Sequence, residues 1–145
     1  MLASNVAAFK AAILADVNLA TQRAAGDHGA IAAYYNAPGT GLIWRPNITT
    51  DELNTAIIWS EFAGLTALLQ NTYLAMIAGT SVDATKANIR GGFSTVFAGK
   101  TSLTNLNNLA QRVPTRFEQL FTTAQVSTEY ATGVNVADVA LALGS

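Results

Sequence analysis

The sequence predicts an all-α fold, and three observations support this prediction. Apolar residues recur every three or four positions along most of the 145 residues, which is the spacing of one face of an α-helix. Polar residues that cap helices precede these stretches, and glycines follow several of them. The alternation typical of a strand occurs only from Val134 to Val139, over too few residues to compete. A chain of this length predicts a single helical domain over residues 1–145.

The first 35 residues contain the signals for three short helices. The first helix is expected over about residues 4–16, where apolar side chains repeat at helical spacing. The second is expected over residues 19–25, because Gly26 is a typical helix end. Asp27 is a suitable cap for the third helix, which continues through Tyr35.

The segment 36–48 predicts an ordered loop. It holds the densest group of glycines and prolines in the chain, and these residues interrupt regular structure. The loop also contains Leu42, Ile43 and Trp44, which are too apolar to lie together in solvent. We therefore expect the loop to pack against the protein.

The strongest helix start is at Thr49. Thr49 and Glu52 have the spacing of a capping box, in which each residue bonds the backbone N–H of the other. An apolar repeat continues from this point until Gly79. The sequence therefore predicts one long helix over about residues 50–78, kinked or split at Gly64, around which a compact helical bundle is organised.

Two further helices are expected before the C-terminal segment. Asp83 caps the first, which closes at Gly99, and Ser102 or Thr104 begins the second. The apolar repeat of the second helix crosses Pro114, which predicts a kink or a break there.

The C-terminal segment, residues 122–145, begins with a polar stretch rich in threonine that runs to Gly133. We expect this segment to form an arm that reaches neighbouring proteins. Asn135 is a suitable cap for one last short helix within it.

Composition excludes several classes of function. Eight Lys and Arg against nine Asp and Glu give a formal net charge of −1, so no basic surface is available for nucleic acid, sequence-specific or otherwise. The absence of Cys and the single His exclude disulfides, thiolate zinc sites and His-rich metal sites. We predict no catalytic, cofactor-binding or metal-ligating residues, no cofactor and no enzymatic activity. Hydrophobic residues make up 50% of the chain and charged residues only 12%, which predicts association with copies of itself or with partners.

Membrane insertion is not expected. The uncharged stretch between Glu61 and Asp83 is long enough to span a bilayer, but its polar residues fall on one side of a helix. This pattern predicts an amphipathic packing helix. The N-terminus lacks the basic region of a signal peptide.

The segment Gly99-Lys100-Thr101-Ser102 resembles the end of a phosphate-binding P-loop. A P-loop requires a glycine five residues before the Gly-Lys pair and a buried strand before the loop. Position 94 is a serine, and the preceding residues predict a helix. We therefore interpret the segment as the end of one helix and the start of the next.

Three arginines are predicted interface residues. Arg45 lies in an aromatic loop, where it is expected to contact a partner, while Trp44 and Trp59 are expected to cover the core. Arg112 and Arg116 are four residues apart and would share one helix face. Two interpretations remain open for this pair: a solvated face, or ion pairs with acidic groups of a neighbouring subunit.

Two segments resemble those of a known group of proteins. They are Ile43–Thr49, which reads IWRPNIT and leads into Asp51-Glu52-Leu53, and Lys86–Phe93, which reads KANIRGGF. The chain is similar here to short proteins encoded in the structural gene clusters of tailed phages and prophages. The likeness covers about residues 30–121, from the YYNAP segment at 34–38 to the RFE segment at 116–118.

This resemblance implies a virion protein that is assembled in the cytoplasm of the bacterial host. Small all-α proteins of this kind are similar in size and class to head–tail connectors of the phage neck, the adaptor subunits that form rings beneath the portal. We expect a non-enzymatic structural subunit. Its expected partners are its own copies in a symmetric ring, such as a dodecamer, and the portal or other virion proteins.

Two alternatives remain open. The first keeps the virion context and makes the protein a capsid cement or a tail structural component, since these also need helical packing faces and no chemistry. The second is a small helical ligand-binding domain or enzyme with a site around Trp44, Arg45, Asp51 and Glu52.

Overall fold

A computed structural model describes residues 3–122 and 133–144, and these residues are mostly helical. The helices are α1 (Ala3–Ala15), α2 (Ala20–Ala25), α3 (His28–Asn36), α4 (Thr50–Ala56), α5 (Trp59–Ala63), α6 (Ala67–Met76), α7 (Ala87–Val96), α8 (Thr101–Ala110), α9 (Arg116–Gln119) and α10 (Val136–Leu143), with a 3₁₀ turn at Val17–Leu19. The strands are β1 (Ile43–Trp44), β2 (Ile48–Thr49), β3 (Ser81–Val82) and β4 (Gln111–Arg112).

The four strands correct the all-α prediction, of which only the helical class is confirmed. β1 pairs with β4 in antiparallel fashion, with Ile43 opposite Arg112. β2 pairs with β3, also antiparallel, with Ile48 opposite Val82. Strands of two residues are too short to produce the alternation by which a strand is recognised in a sequence. Their partners are distant in the chain, so pairing is decided by tertiary structure.

The predicted long helix over residues 50–78 is wrong, because the structure divides it into α4, α5 and α6. The expected break at Gly64 is present: this residue ends α5, and the Thr66 hydroxyl caps α6 by accepting a hydrogen bond from the N–H of Leu69. A second break was not predicted. Ile57 (φ −74°, ψ 152°) and Ile58 (φ −93°, ψ 111°) are extended and separate α4 from α5.

The described residues form two compact units. The terminal unit contains residues 3–41, 113–122 and 133–144, and the central unit contains residues 42–112. Each unit has its own cluster of buried apolar side chains. The single-domain organisation over 1–145 stays a prediction.

The terminal unit is built from α1, α2, α3, α9 and α10. Phe9 lies at its centre and makes edge-to-face contacts with Tyr35 and Phe117, at ring-centroid distances of 5.1 and 5.0 Å. Such pairs stabilise a core beyond the area that they bury. The other members of this core are Ile13, Leu19, Ile31, Ala32, Val134, Val139 and Ala142.

Helix α10 belongs to this core, although it lies within the segment 122–145 that is predicted to form an arm. It packs against α1 and α3. The side chain of Asn36 on α3 holds the residue Val134 that precedes α10. It donates to the carbonyl of Val134 (2.7 Å) and accepts from the N–H of Val134 (2.8 Å). Gly133 (φ +81°) allows this approach, since a Cβ there would collide with the Asn36 side chain. The rest of the predicted arm, residues 123–132 and 145, lies outside the described residues.

The central unit packs α4, α6, α7 and α8 around a second core. Leu53, Tyr73, Phe93, Phe97 and Leu106 are fully buried in it. The other buried members are Ile48, Ile57, Ile77, Val82, Ala84, Val96 and Ala110. Residues 42–48 of the predicted ordered loop belong to this unit and include β1. Ile43 is buried as expected and Ile48 is buried too, but Leu42, which was expected to pack with Ile43 and Trp44, is 45% exposed.

The predicted start of α4 is confirmed, whereas Asp83 does not cap α7, which begins at Ala87 with Lys86 as its N-cap. At the start of α4, the Thr49 hydroxyl accepts from the N–H of Glu52 (3.2 Å), and the Glu52 carboxylate accepts from the N–H of Thr49 (2.8 Å). This is the predicted capping box. Gly99, with φ +69°, lies between α7 and α8, as expected for the end of one helix and the start of another.

The Glu61 carboxylate and the Ser102 hydroxyl join α5, α8 and the break between α4 and α5. Glu61 Oε1 accepts a hydrogen bond from the N–H of Thr101 (3.0 Å), and Oε2 accepts from both the N–H (2.8 Å) and the hydroxyl (2.5 Å) of Ser102. The same hydroxyl accepts from the N–H of Ile58 (2.8 Å). Ser102 is fully buried. The Glu61 carboxylate therefore caps α8. Ser102, in the first turn of α8, accepts the hydrogen bond of the Ile58 N–H, which has no partner within a helix because of the break.

Replacing Ser102 with alanine is expected to lower the free energy of unfolding by about 1–3 kcal/mol, because the substitution removes one partner from hydrogen bonds of Glu61 and Ile58. The measurement is equilibrium denaturation followed by circular dichroism. Ser94→Ala is the matched control, since Ser94 is exposed and bonds only within its own helix; its effect is expected to stay within about 0.5 kcal/mol. Equal effects for the two variants would contradict this role for Ser102.

Candidate interaction surfaces

Arg45, a predicted interface residue, is held by its own unit. Its guanidinium forms an ion pair with Glu52 (Nη2 to Oε1, 2.9 Å) and donates to the carbonyl of Leu109 (Nη1, 3.0 Å). Its backbone is bonded to Ala110 and Ala84 on either side. These bonds place Arg45 at the junction of β1, α4 and α8, and its contact with a partner stays a prediction.

Arg112 and Arg116 do not share a helix face, contrary to the sequence-based interpretation. Helix α8 ends at Ala110, and Arg112 lies in β4 of the central unit. Arg116 is the first residue of α9 in the terminal unit. The residue before a proline is biased toward extended backbone, so the helical repeat cannot run on through Pro114. The two arginines therefore lie in different units, and their interface roles stay predictions.

The two tryptophans differ in exposure. Trp44 is half-buried against the central core, and the Arg90 guanidinium lies over its ring at 4.9 Å from the centroid. This agrees with the expected role of Trp44 in covering the core. Trp59 is 51% exposed, so the same expectation for Trp59 is wrong. The break at Ile57 and Ile58 places Trp59 at the start of a new helix.

The acidic pair Asp51 and Glu52 lies in the first turn of α4, where the positive end of the helix dipole favours acidic side chains. Hydrogen bonds from the Thr49 N–H and from the Arg45 side chain hold the pKa of Glu52 below its ordinary value. The same two acids line a groove of about 480 Å³ together with Thr55, Ala56 and Leu109. The groove is therefore lined by two of the four residues, Asp51 and Glu52, that the sequence suggests for a ligand-binding or enzymatic site.

The helix start in the P-loop-like segment is already occupied by an internal carboxylate. Glu61 bonds the N–H groups of Thr101 and Ser102, which are the groups that would bind an anion at this position. The Ser102 hydroxyl and N–H hold the pKa of Glu61 below its ordinary value of 4.5, against the opposing effect of partial burial. A phosphate would have to displace Glu61 to bind here.

The part of the chain that the structure describes contains no group of three or more His, Cys, Asp or Glu side chains placed to hold a metal ion. Within the same residues, every helix is too short or too polar to cross a bilayer.

The terminal unit contains a groove of about 460 Å³ between α1, α3 and α9. Its lining residues are Ala12, Ala15, Asp16, Tyr34, Tyr35, Arg116, Gln119 and Leu120. The Arg116 guanidinium stacks over the Tyr34 ring at 4.1 Å from the centroid and donates to the carbonyl of Tyr34 (3.2 Å). Stacking on an aromatic face is a geometry that arginine adopts readily. We call this groove the Asp16–Arg116 surface.

Asp16 is held in a fixed position in this groove. Its carboxylate accepts from the N–H (2.9 Å) and the side-chain amide (3.1 Å) of Asn18. Partial burial raises the pKa of Asp16, but hydrogen bonds from Tyr34 and Asn18 and the charge of Arg116 outweigh it and lower the pKa. Burial raises the pKa of Tyr35 to about 12. The groove therefore presents the ionised Asp16 carboxylate, the Arg116 guanidinium and the neutral phenol of Tyr35 near neutral pH.

The central unit exposes an apolar, uncharged face on α6. Leu68 is 75% exposed and Leu74 is 48% exposed, and both Asn71 and Ala75 also face solvent. Steps of three or four residues lead from Leu68 to Asn71 and from Asn71 to both Leu74 and Ala75, so the four positions lie on one side of the helix. The chain carries no charged residue between Glu61 and Asp83. We call this side of the helix the α6 outer face.

No protein-family model, curated protein or solved structure matches this chain.

Neither surface was predicted from the sequence as such. The apolar repeat of the segment 50–78 includes both the buried Tyr73 and the exposed Leu68, and the repeat alone does not separate them. Asp16 and Arg116 are 100 positions apart in the chain, so no local pattern links them. The low charge of the chain was the sequence feature that predicted an association surface.

Acidification is expected to weaken the stabilisation that Glu61 provides. Because the folded-state pKa of Glu61 is lowered, this stabilisation is complete above the ordinary pKa of 4.5 and is lost as the pH falls through the lower folded-state pKa. Thermal melts of the wild type and of Glu61→Gln should therefore differ most near neutral pH and converge in acid.

The Ser102→Ala background supplies the control, since it removes the largest cause of the pKa shift. In that background the pH dependence of the Glu61→Gln effect should be smaller. A difference between wild type and Glu61→Gln that stays constant from about pH 7 to pH 3 would be inconsistent with this assignment.

Proposed function

We propose that the protein is a non-enzymatic structural subunit of a tailed-phage particle, of the head–tail connector type, and that it assembles into a symmetric ring with its own copies. The observation that carries the proposal is the α6 outer face. The resemblance of the segments 43–49 and 86–93 to phage structural-cluster proteins supplies the virion context.

The α6 outer face has the character of an assembly surface. Large contiguous apolar patches on a protein surface are characteristic of protein–protein contact sites. Leu68 projects most of its side chain into solvent, and Trp59 is also more than half exposed on the preceding helix. Burial of such side chains contributes about 25 cal/mol per Å² of apolar area removed from water. The lack of charge means that no ionised group must lose its hydration when the face is covered.

A ring requires a head-to-tail contact, in which each subunit presents two different faces to its neighbours. The α6 outer face is one of these faces in our proposal. The portal or other virion proteins are the remaining partners, and the site of action is the virion. Capsid cement or a tail component is the alternative use of the same face, and copy number separates the two: about a dozen copies per particle support a ring at the portal vertex.

Placing an arginine at Leu68 is expected to prevent assembly through the α6 outer face. The purified wild-type protein should form a closed oligomer in native mass spectrometry, and Leu68→Arg should weaken its association more than tenfold, which corresponds to about 1.4 kcal/mol or more. The reason is that the guanidinium would be buried in an uncharged contact.

Thr104→Arg is the matched control, since it adds the same charge to an exposed position on α8 of the same unit. It should leave the oligomer intact. A wild-type protein that is monomeric and absent from particles, or a Leu68→Arg variant that assembles normally, would refute the proposal.

A further inference from the structure

The Asp16–Arg116 surface carries two opposite charges that do not neutralise each other directly. Asp16 and Arg116 are both among the described residues, and they form no ion pair with each other within 4.0 Å. Asp16 and Arg116 line the same groove at a greater separation, although Arg116 is close enough to lower the pKa of Asp16. Each therefore offers a charge to a group from outside the unit.

Both charged groups are fixed before any partner arrives. Arg116 is held flat against the Tyr34 ring, and one of its five donors is bonded to the Tyr34 carbonyl. Asp16 is held by Asn18 and by the Tyr34 side chain. Because the side chains are already ordered, association loses little further rotamer entropy at these positions.

Apolar side chains also line the groove. Leu120 lines it and is 40% exposed, and Ala12 and Ala15 of α1 line it as well. Apolar residues beside a polar contact help to exclude water from it when the surface is covered. The groove thus combines two separated charges with apolar lining residues.

We propose that the Asp16–Arg116 surface binds the same surface of a second copy of this chain across a two-fold axis. In such a contact each patch meets its own copy, so Asp16 of one protomer faces Arg116 of the partner subunit, and Arg116 faces Asp16 of the partner subunit. A patch with one positive and one negative group is complementary to itself in this arrangement. Leu120, which lines the groove, is then buried against its counterpart.

Other occupants fit the charges less well. An acidic segment would pair with Arg116 but be repelled by Asp16, and a basic segment would meet the reverse problem. A ligand must therefore carry both charges, and the same surface of a second copy carries both. This inference goes beyond the proposed function, because a two-fold contact cannot close a ring and so defines an interface separate from the α6 outer face.

The test uses the full chain with Leu68→Arg, so that association through the α6 outer face does not obscure the result. Native mass spectrometry and sedimentation velocity should show a dimer for this protein. Adding Arg116→Glu makes both charges of the surface negative, and adding Asp16→Arg makes both positive. Each of these variants should be monomeric by itself, because like charges then face each other across the axis.

An equimolar mixture of the two charge variants should form a one-to-one heterodimer, since mixing restores both ion pairs. Circular dichroism and thermal melts establish that each variant is folded. If either fails to fold, Asp16→Asn and Arg116→Gln replace them, and each should weaken the dimer at least about tenfold.

Any one of three outcomes would overturn the inference: a Leu68→Arg protein that is monomeric at every concentration, a dimer that survives both charge variants, or a mixture of the variants that fails to associate. Stabilisation of a persistent monomer by a free amino acid would instead assign the groove to a small zwitterion. The dimer uses the Asp16–Arg116 surface and the ring uses the α6 outer face. Failure of the dimer test therefore leaves the proposed function standing, and failure of the ring test leaves the proposed dimer standing.

Discussion

The buried hydroxyl of Ser102 is the constraint on which the central unit depends. It donates to Glu61 and accepts from Ile58, so one side chain fixes the start of α8, the position of α5 and the break after α4. Without this acceptor, the N–H of Ile58 would need another partner, and continuation of α4 as a helix is the simplest way to supply one. The hydroxyl therefore stabilises a three-helix arrangement in a segment whose apolar repeat is that of one helix.

Several acidic side chains act as helix caps. Glu52, Glu61 and Asp138 each bond backbone N–H groups at a helix start. These bonds stabilise the helix starts. Helix α6 has no ionised group on its outer side because the sequence carries no charged residue between Glu61 and Asp83. The two proposed interfaces differ in kind: the α6 outer face depends on apolar burial, and the Asp16–Arg116 surface depends on charge complementarity.

Prediction from the sequence succeeded where a few neighbouring residues decide the outcome. The capping box at Thr49 and the break at Gly64 follow from local backbone chemistry, and the structure contains both. Helix α7 ends at Val96, three residues before the predicted end at Gly99. The prediction failed for the break at Ile57 and Ile58 and for the exposure of Trp59. The apolar repeat does not reveal these features, because isoleucine and tryptophan are compatible with a helix. The break depends on the Ser102 hydroxyl, which is distant in the sequence and accepts from the N–H of Ile58.

The sequence by itself determined the mainly helical class, several helix starts, the break at Gly64 and the low charge of the chain, because these depend on composition and on contacts within one or two turns. Tertiary structure alone decided the four short strands, the break at Ile57 and Ile58 and the convergence of Asp16 with Arg116. Each of these joins residues that are far apart in the chain. Local propensity carries no information about such pairs, because their free energy exists only once the chain has folded.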